Sequence, residues 1–320
     1  MSNVRYHAHC IDGIVSAAIV KRVYRNAIQF DACTPYRAPF PGTTPERMSD
    51  TVGVDIPYHD GMQQWYDHHD TGLQYFPPPH QPRSITCAIH FDPNARACVE
   101  LLPLPDPSFA PLVQEIAILD SGQFADVDAA CDLANPVLLA ARTIQRLEDD
   151  AIDQRIIDVL VDTVEDPIPA LLHAIPEDLR NQTRTLVDGH AAFLRATGHL
   201  TTGSPKLLAL DLTTDAPTAE GLSPFHPFQV FPDCDLCLVL RETTRGVYVR
   251  MSRNPWYWSP TFPCRLDVIA RAYGGSGHAT VASIRFPRTD EGRNWARDTY
   301  TQLLETLSRT TPHTAHTVTT

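Results

Sequence analysis

Across the first hundred residues, short apolar runs alternate with amphipathic helical ones: Val4 to His7, a helix from Asp12 through Arg25, Val52 to Ile56, and a helix from about Asn94 to Leu102. Few folds accommodate this order. Strands separated by helices pair in parallel, and the helices then cover the faces of the sheet. In such a sheet the loops leaving the carboxyl ends of the strands gather on one side, where ligands bind. Asp12, Asp55, Asp67 and His68 each follow a strand end in this reading. The pattern therefore predicts that residues far apart in sequence converge.

The chemistry of those residues is informative. Asp67-His68-His69-Asp70 sets two imidazoles between carboxylates in one short loop, a mixture of hard and borderline metal ligands. Three other segments fit around it: His7-Ala8-His9-Cys10-Ile11-Asp12-Gly13, Ile118-Leu119-Asp120 and Gly274-Gly275-Ser276-Gly277-His278. A phosphate ester resists attack because its negative oxygens repel the nucleophile; a metal pair about 3.5 to 4 Å apart neutralises them and acidifies water. Asp12, Asp55, Asp67, His68 and Asp120 supply the carboxylates and imidazole such a pair needs. An oxygen-rich set of this kind suits manganese or magnesium better than structural zinc. Taken singly, each residue has a plainer explanation. Asp12, directly before Gly13 and a helical run, is a capping candidate, and Asp70 is placed to orient an imidazole.

A length of 320 residues favours two domains over one core. The net charge of -12 argues against a broad basic surface for long nucleic acid, and a short anionic substrate held by metals fits it better. Eight cysteines without a regular framework, behind a start that lacks an apolar leader, indicate reduced thiols and a cytoplasmic protein. No run approaches the roughly 18 apolar residues that span a membrane. Cys234-Asp-Leu-Cys237 has no second pair nearby, which favours structural cysteines in a buried strand.

The middle of the chain is helical, over 136–148, 151–164 and 177–196, and Gly198 to Pro205 has the composition of a linker. Strand-rich texture follows, with a hairpin formed by 236–241 and 247–250, a helix over 266–272 and a strand over 279–286. From Thr310 the residues lack an apolar period and are expected to be disordered. The fold class is α/β: an N-terminal parallel-sheet domain over 1–170, a helical linker over 171–204, a smaller C-terminal α/β domain with a mixed sheet over 205–309, and a tail over 310–320.

The order and spacing of the four segments resemble the DHH phosphoesterase superfamily, in the members that carry a glycine-rich DHH-associated C-terminal domain. The resemblance implies a metal cleft between a DHH catalytic domain and a substrate-binding domain. It implies one ion held by Asp12, Asp55, Asp67 or His68, and Asp120, with His7 and Cys10 at the other position and one or two Mn²⁺ or Mg²⁺ per chain. His69, Asp12 and Asp67 would be catalytic, His69 lying nearer the phosphate. Arg250, Ser252, Arg253, Gly274, Gly275, Gly277 and His278 would face the substrate, the glycines letting backbone N–H groups approach an anion and an arginine gripping a terminal phosphate. The activity implied is hydrolysis of short nucleotides: oligoribonucleotides, cyclic dinucleotides or 3′-phosphoadenosine phosphate. A catalytically degenerate nucleotide sensor and an exopolyphosphatase are the alternatives. Proteins of this family often form homodimers.

Two departures matter. The commoner first motif is His-x-Asp-x-Asp-Gly, whereas Ala8 and Cys10 occupy the histidine and first aspartate positions here, giving H-x-x-C-x-D-G. Cysteine is a soft ligand poorly matched to Mn²⁺ or Mg²⁺, so either His7 or His9 substitutes, or that ion is weak or absent, or a thiophilic metal binds. The glycine motif is also loosened after His278, where Ala279-Thr280-Val281-Ala282-Ser283 replaces x-x-Ala-Ala-Gly. Nearby, Trp256 and Trp258 either stack on a base or pack a loop.

Overall fold

A computed structural model describes residues 3–24, 29–33, 50–59, 61–69, 87–201, 205–213, 220–243, 246–257 and 265–309. The chain divides into two compact units, one of Met1–Phe124 with Asp132–Arg184 and one of Ala125–Cys131 with Thr185–Thr320. The last boundary, between Arg184 and Thr185, falls inside the helix Glu177–Thr197.

The first unit is built on β1 (Asn3–His7), β2 (Gln29–Cys33), β3 (Thr51–Val54), β4 (Gln64–Asp67) and β5 (Ala88–Phe91), paired throughout in parallel in the order β2-β1-β3-β4-β5. From β1 the chain moves outward to β2, then returns to the other side of β1 to lay down β3. The strand order reverses between β1 and β3, which opens a crevice outside their carboxyl ends. Helix α1 (Ile11–Tyr24) links β1 to β2 and is buried without interruption from Ile11 to Val20. A helix apolar on all sides is one enclosed by other elements, and α1 lies in a core with Val4, Tyr6, Val52, Val54, Leu112 and Ile156.

Four helices complete this unit: α2 (Ala110–Ser121), α3 (Pro136–Leu147), α4 (Asp150–Asp162) and α5 (Pro167–Ala174). Their starts follow local chemistry. The Asn135 side chain accepts from the N–H groups of Val137 and Leu138, with Pro136 at the first helical position, and Asp149 accepts from Ala151. The helix expected over 94–102 is instead a single 3-10 turn, Cys98–Leu101. Pro103 follows Leu102 and drives it to an extended conformation, ψ 145°, which ends the helix before it can propagate.

After α6 (Glu177–Thr197), the second unit carries β6 (His199–Leu200), β7 (Leu207–Asp211), α7 (His226–Val230), β8 (Leu236–Thr243), β9 (Gly246–Arg253), α8 (Leu266–Ala272), β10 (Ser276–Gly277), β11 (Val281–Phe286) and α9 (Asp290–Arg309). The strands form a mixed six-stranded sheet in the order β10-β11-β9-β8-β7-β6, in which only β7 and β8 run parallel. One face presents Leu238, Leu240, Val249, Met251 and Ile284 to residues of α8 and α9, including Leu266, Ala296 and Leu303. The 198–205 segment is not wholly a linker, because His199 and Leu200 pair with Ala209 and Leu208 as an edge of this sheet. The tail over 310–320 lies outside the described residues. Among the described residues no helix is long and apolar enough to cross a membrane.

One contact fixes α1 against the strand that feeds it. A Cβ at Gly13 would lie 2.4 Å from the His7 carbonyl oxygen and 2.7 Å from the His7 Cβ, so only glycine allows this approach. Gly13→Ala is expected to destabilise the chain by about 1–3 kcal/mol, the usual cost of overpacking, measured as a lowered midpoint in denaturant unfolding; an unchanged midpoint would refute this account of Gly13.

Candidate metal centre

The crevice between β1 and β3 collects the predicted site. His7 closes β1, Asp12 lies in the first turn of α1, Asp55 follows β3, Asp67 closes β4 with His68 and His69 after it, and Asp120 sits in the last turn of α2. His68 Nε2 lies 3.3 Å from an Asp120 oxygen and 3.8 Å from oxygens of both Asp12 and Asp55. His7 Nδ1 lies 3.0 Å from Asp55 Oδ2, and His69 Nδ1 lies 2.9 Å from Asp67 and 3.5 Å from Asp55. Three overlapping groups have ligand atoms within 4.8 Å of one another: His7-Cys10-Asp55, Asp12-His68-Asp120 and Asp55-Asp67-His68-His69. Asp55 belongs to two of them.

Each side chain is held by a second contact. His68 Nδ1 lies 3.2 Å from the Ala95 carbonyl, which assigns the proton to Nδ1 and turns Nε2 toward the carboxylates. Asp67 Oδ1 accepts from the backbone N–H groups of His68 and His69 at 2.8 and 3.1 Å, and from His69 Nδ1. Asp67 therefore does the orienting expected of Asp70, which lies outside the described residues. Asp12 does cap a helical turn, but not its own: it accepts from Cys98 N–H at 2.7 Å and Val99 N–H at 2.9 Å. Asp55 adopts a left-handed backbone, φ 55°, and its N–H donates to Tyr66 O at 3.0 Å. Non-glycine residues in this region cost roughly 1–3 kcal/mol and persist where surrounding structure enforces them. The Trp65 indole helps here by donating to Ile56 O at 2.7 Å.

The electrostatics of the cluster are unfavourable as it stands. Burial, followed by the charges of Asp55 and Asp120, pushes the Asp12 carboxyl well above its usual range. Burial and then Asp120 do the same to Asp55. Asp67 rises to about 7 through burial, against the lowering effect of the His69 and His68 N–H groups. For His68, burial favours the neutral ring, but the summed pull of Asp120, Asp12, Asp55 and Asp67 outweighs it and raises the imidazole to about 9. Among the described residues the ion-pair partners of Asp12, Asp55 and Asp67 are histidines only. Asp55 Oδ1 is buried and has no hydrogen-bond partner among them. Several carboxylates gathered out of water with one imidazole are what a divalent cation relieves, and the Asp12-His68-Asp120 group of oxygens and one nitrogen fits a hard ion.

Solved structures share this architecture. The pGpG-specific phosphodiesterase PggH from Vibrio cholerae aligns over 95% of this chain and 99% of its own, at 16% identity and a TM-score of 0.61. A DHH domain described as belonging to a family of ribosomal proteins aligns over 95% and 86%, at 14% identity and a TM-score of 0.52. This chain has the DHH-domain fold. No family model and no curated protein matches its sequence.

One part of this DHH fold was not foreseen. His9 has a left-handed backbone, φ 58°, and its N–H donates to Asp153 Oδ2 at 2.8 Å. Its ring lies between Asp153, 3.2 Å from Nδ1, and Asp150, 3.1 Å from Nε2. Both nitrogens face carboxylates of α4, so His9 is not the substitute ligand that the first motif left open. Asp149-Asp150 looks like an ordinary helix start, and the sequence carries no signal that its acidic turn anchors a histidine 144 residues away.

The residues expected on the substrate side lie in the second unit. Arg250 pairs with Val239 and Ser283, and Ser252 with Cys237 and Val281, which puts Arg250 and Ser252 on one face and Arg253 on the other. The glycines have a structural explanation. Gly274, φ 73°, ends α8: its N–H donates to Arg271 O at 3.0 Å, while Gly275 N–H donates to Ala270 O at 2.8 Å, the paired bonds of a Schellman stop. A Cβ on Gly275 would lie 2.4 Å from Ser283 O. The His278 N–H is engaged by Val281 O at 2.7 Å. These three N–H groups serve the fold, so the expected backbone cradle for an anion is not formed by them. Trp256 packs edge-on to Phe225, ring centroids 5.6 Å apart, as in the packed-loop alternative, and Trp258 lies outside the described residues. Cys234 and Cys237 are buried structural cysteines.

The acidic anchor for His9 has a measurable pH signature. Burial, then the charges of Asp150 and Asp149, raises the Asp153 carboxyl to about 8, against roughly 3.9 in an unfolded chain. Between those values the unfolded state binds fewer protons, so this group's contribution to stability falls as pH rises and is fully lost above about pH 8. Asp153→Asn is expected to flatten that slope. Its melting temperature relative to wild type should rise steadily from about pH 4 to about pH 8, and a difference independent of pH would contradict the assignment.

Proposed function

We propose that this chain is a metal-dependent phosphohydrolase acting on short nucleotides, and that its substrates include linear dinucleotides of the pGpG type. The carrying observation is the convergence of Asp12, Asp55, Asp67, His68 and Asp120 at the carboxyl ends of adjacent parallel strands. The likeness to a pGpG-specific phosphodiesterase over nearly the whole of both chains supports the choice of substrate class.

Asp12, Asp55, His68 and Asp120 would hold a hard ion such as Mn²⁺ or Mg²⁺. When bound, a divalent cation supplies charge to the phosphoryl oxygens and acidifies water. The protein's contribution is preorganisation. Asp12 is locked by two backbone donors, and His68 by the Ala95 carbonyl, so neither reorients as charge develops. Asp67 holds His69 Nδ1, which leaves Nε2 as the nitrogen that would meet a substrate oxygen. On the substrate side, Arg250 and the His278 ring would offer the phosphate contacts; Arg253 lies on the other face of the sheet, and the Gly274 and Gly275 N–H groups are already engaged at the helix end. The guanidinium donors are charge-assisted, which favours a phosphate over a neutral group.

The reading is tested by hydrolysis of a panel containing pGpG, a cyclic dinucleotide, 3′-phosphoadenosine phosphate and polyphosphate, with Mn²⁺ added or chelated. Turnover of pGpG that stops on chelation, and that Asp120→Asn lowers by about 100-fold or more, is the expected result. Tight nucleotide binding without turnover of any member would replace the enzyme with a sensor. Turnover of polyphosphate alone would make the chain an exopolyphosphatase.

A further inference from the structure

The two halves of the metal centre offer different chemistry. Asp12-His68-Asp120 is two oxygens and one nitrogen, whereas His7-Cys10-Asp55 is nitrogen, sulfur and oxygen. With His9 held between Asp150 and Asp153, the donors left at the first half are His7, Cys10 and Asp55. His7 Nδ1 already lies 3.0 Å from Asp55 Oδ2, and the other Asp55 oxygen is buried without a hydrogen-bond partner among the described residues.

We propose that the His7-Cys10-Asp55 group takes a thiophilic divalent cation of the zinc, cobalt or ferrous class, bound through the Cys10 sulfur, while the Asp12-His68-Asp120 group takes a hard ion. The proposal rests on the metal-centre reading above and assigns a separate ion class to each half. The physical reason is softness: thiolate with imidazole selects zinc-like ions, and carboxylate oxygens select manganese or magnesium. The rival is a neutral thiol that only donates a hydrogen bond to Asp55. Burial of the sulfur, then the charges of Asp55, Asp120 and Asp12, favours that neutral form in the metal-free chain. A cation between them reverses this balance, because a coordinating thiol is deprotonated outright. The S–H bond breaks as the sulfur–metal bond forms, the proton passes to solvent, and nothing is oxidised or reduced.

The test uses the full chain, freed of metal, loaded with Mg²⁺ and titrated with Co²⁺. Thiolate-to-cobalt charge-transfer absorption in the near ultraviolet should grow to one equivalent. It should vanish in Cys10→Ser, stay in Asp120→Asn, and in Cys10→Asp give way to Mn²⁺ binding with zinc affinity down at least about tenfold. X-ray absorption of wild type carrying one Zn²⁺ should show sulfur at about 2.3 Å, a measurement that needs no variant. Absence of a sulfur neighbour or of the charge-transfer band in wild type overturns the proposal. So does a band undiminished in Cys10→Ser that retains the wild-type circular dichroism. Nucleotide turnover is not read at any step, so the band without hydrolysis leaves this inference standing and defeats the proposed function alone.

Discussion

Three aspartates buried around one imidazole are the constraint on which the rest of the first unit depends. Removing a carboxylate from water costs several kcal/mol unless its charge is met, and Asp12, Asp55 and Asp67 are each almost wholly enclosed. A chain can hold such a cluster only by fixing each group from a second direction. The parallel order β2-β1-β3-β4-β5 brings the carboxyl ends of β1, β3 and β4 side by side, and the reversal between β1 and β3 leaves the crevice open. Gly13 then lets α1 settle on the end of β1, which carries Asp12 into the same space. Backbone N–H groups of Cys98 and Val99 offset part of the Asp12 charge, so a single 3-10 turn contributes to the site although none of its side chains enters the ligand set.

The same constraint accounts for the strained backbone. Asp55 and His9 both occupy the left-handed region, and they lie on loops that leave neighbouring strands. A relaxed β conformation at either would aim the following residues differently. Each is held by hydrogen bonds that a free loop lacks: Asp55 N–H to Tyr66 on the adjoining strand, His9 N–H to buried Asp153 on α4. The local cost is therefore met by contacts from elements packed against the sheet, which makes the loop geometry a property of the whole unit and limits its motion.

How far the sequence could be read follows from what its patterns encode. The α8 bounds 266–272 and the hairpin of β8 and β9 were legible, because a run of apolar residues with the right period leaves little choice. The convergence of Asp12, Asp55, Asp67, His68 and Asp120 was legible from spacing and resemblance together. Strand β4 was anticipated only as the strand that Asp67 and His68 follow, and β5 not at all, since four residues carry too little period to distinguish strand from loop, and β5 is largely exposed. Helix α2 opens behind Pro103, Pro105 and Pro107, a stretch that looks like loop alone. The anchoring of His9 by Asp153 joins residues whose local patterns say nothing of each other. The glycine motif shows the opposite failure. Its composition suggests an anion cradle, while the chain uses its N–H groups to end α8 and its missing Cβ atoms to bring β10 against β11.

That last point shifts the weight of substrate recognition. With the Gly274 and Gly275 N–H groups engaged at the helix end, the phosphate contact proposed for the second unit would fall on side chains, and among these Arg250 is fixed in the middle of β9 between β8 and β11. A guanidinium held on a sheet recognises a phosphate by direction as well as charge, whereas a glycine loop recognises little beyond its size and sign. In the first unit Asp55 belongs to both the His7-Cys10-Asp55 group and the Asp55-Asp67-His68-His69 group. Under the proposed two-ion reading, a cation on one side of Asp55 would lower the negative charge left for the other, so the two ions would oppose one another. A sulfur ligand from Cys10 would counter this opposition, because each ion would then draw its affinity from a different kind of bond.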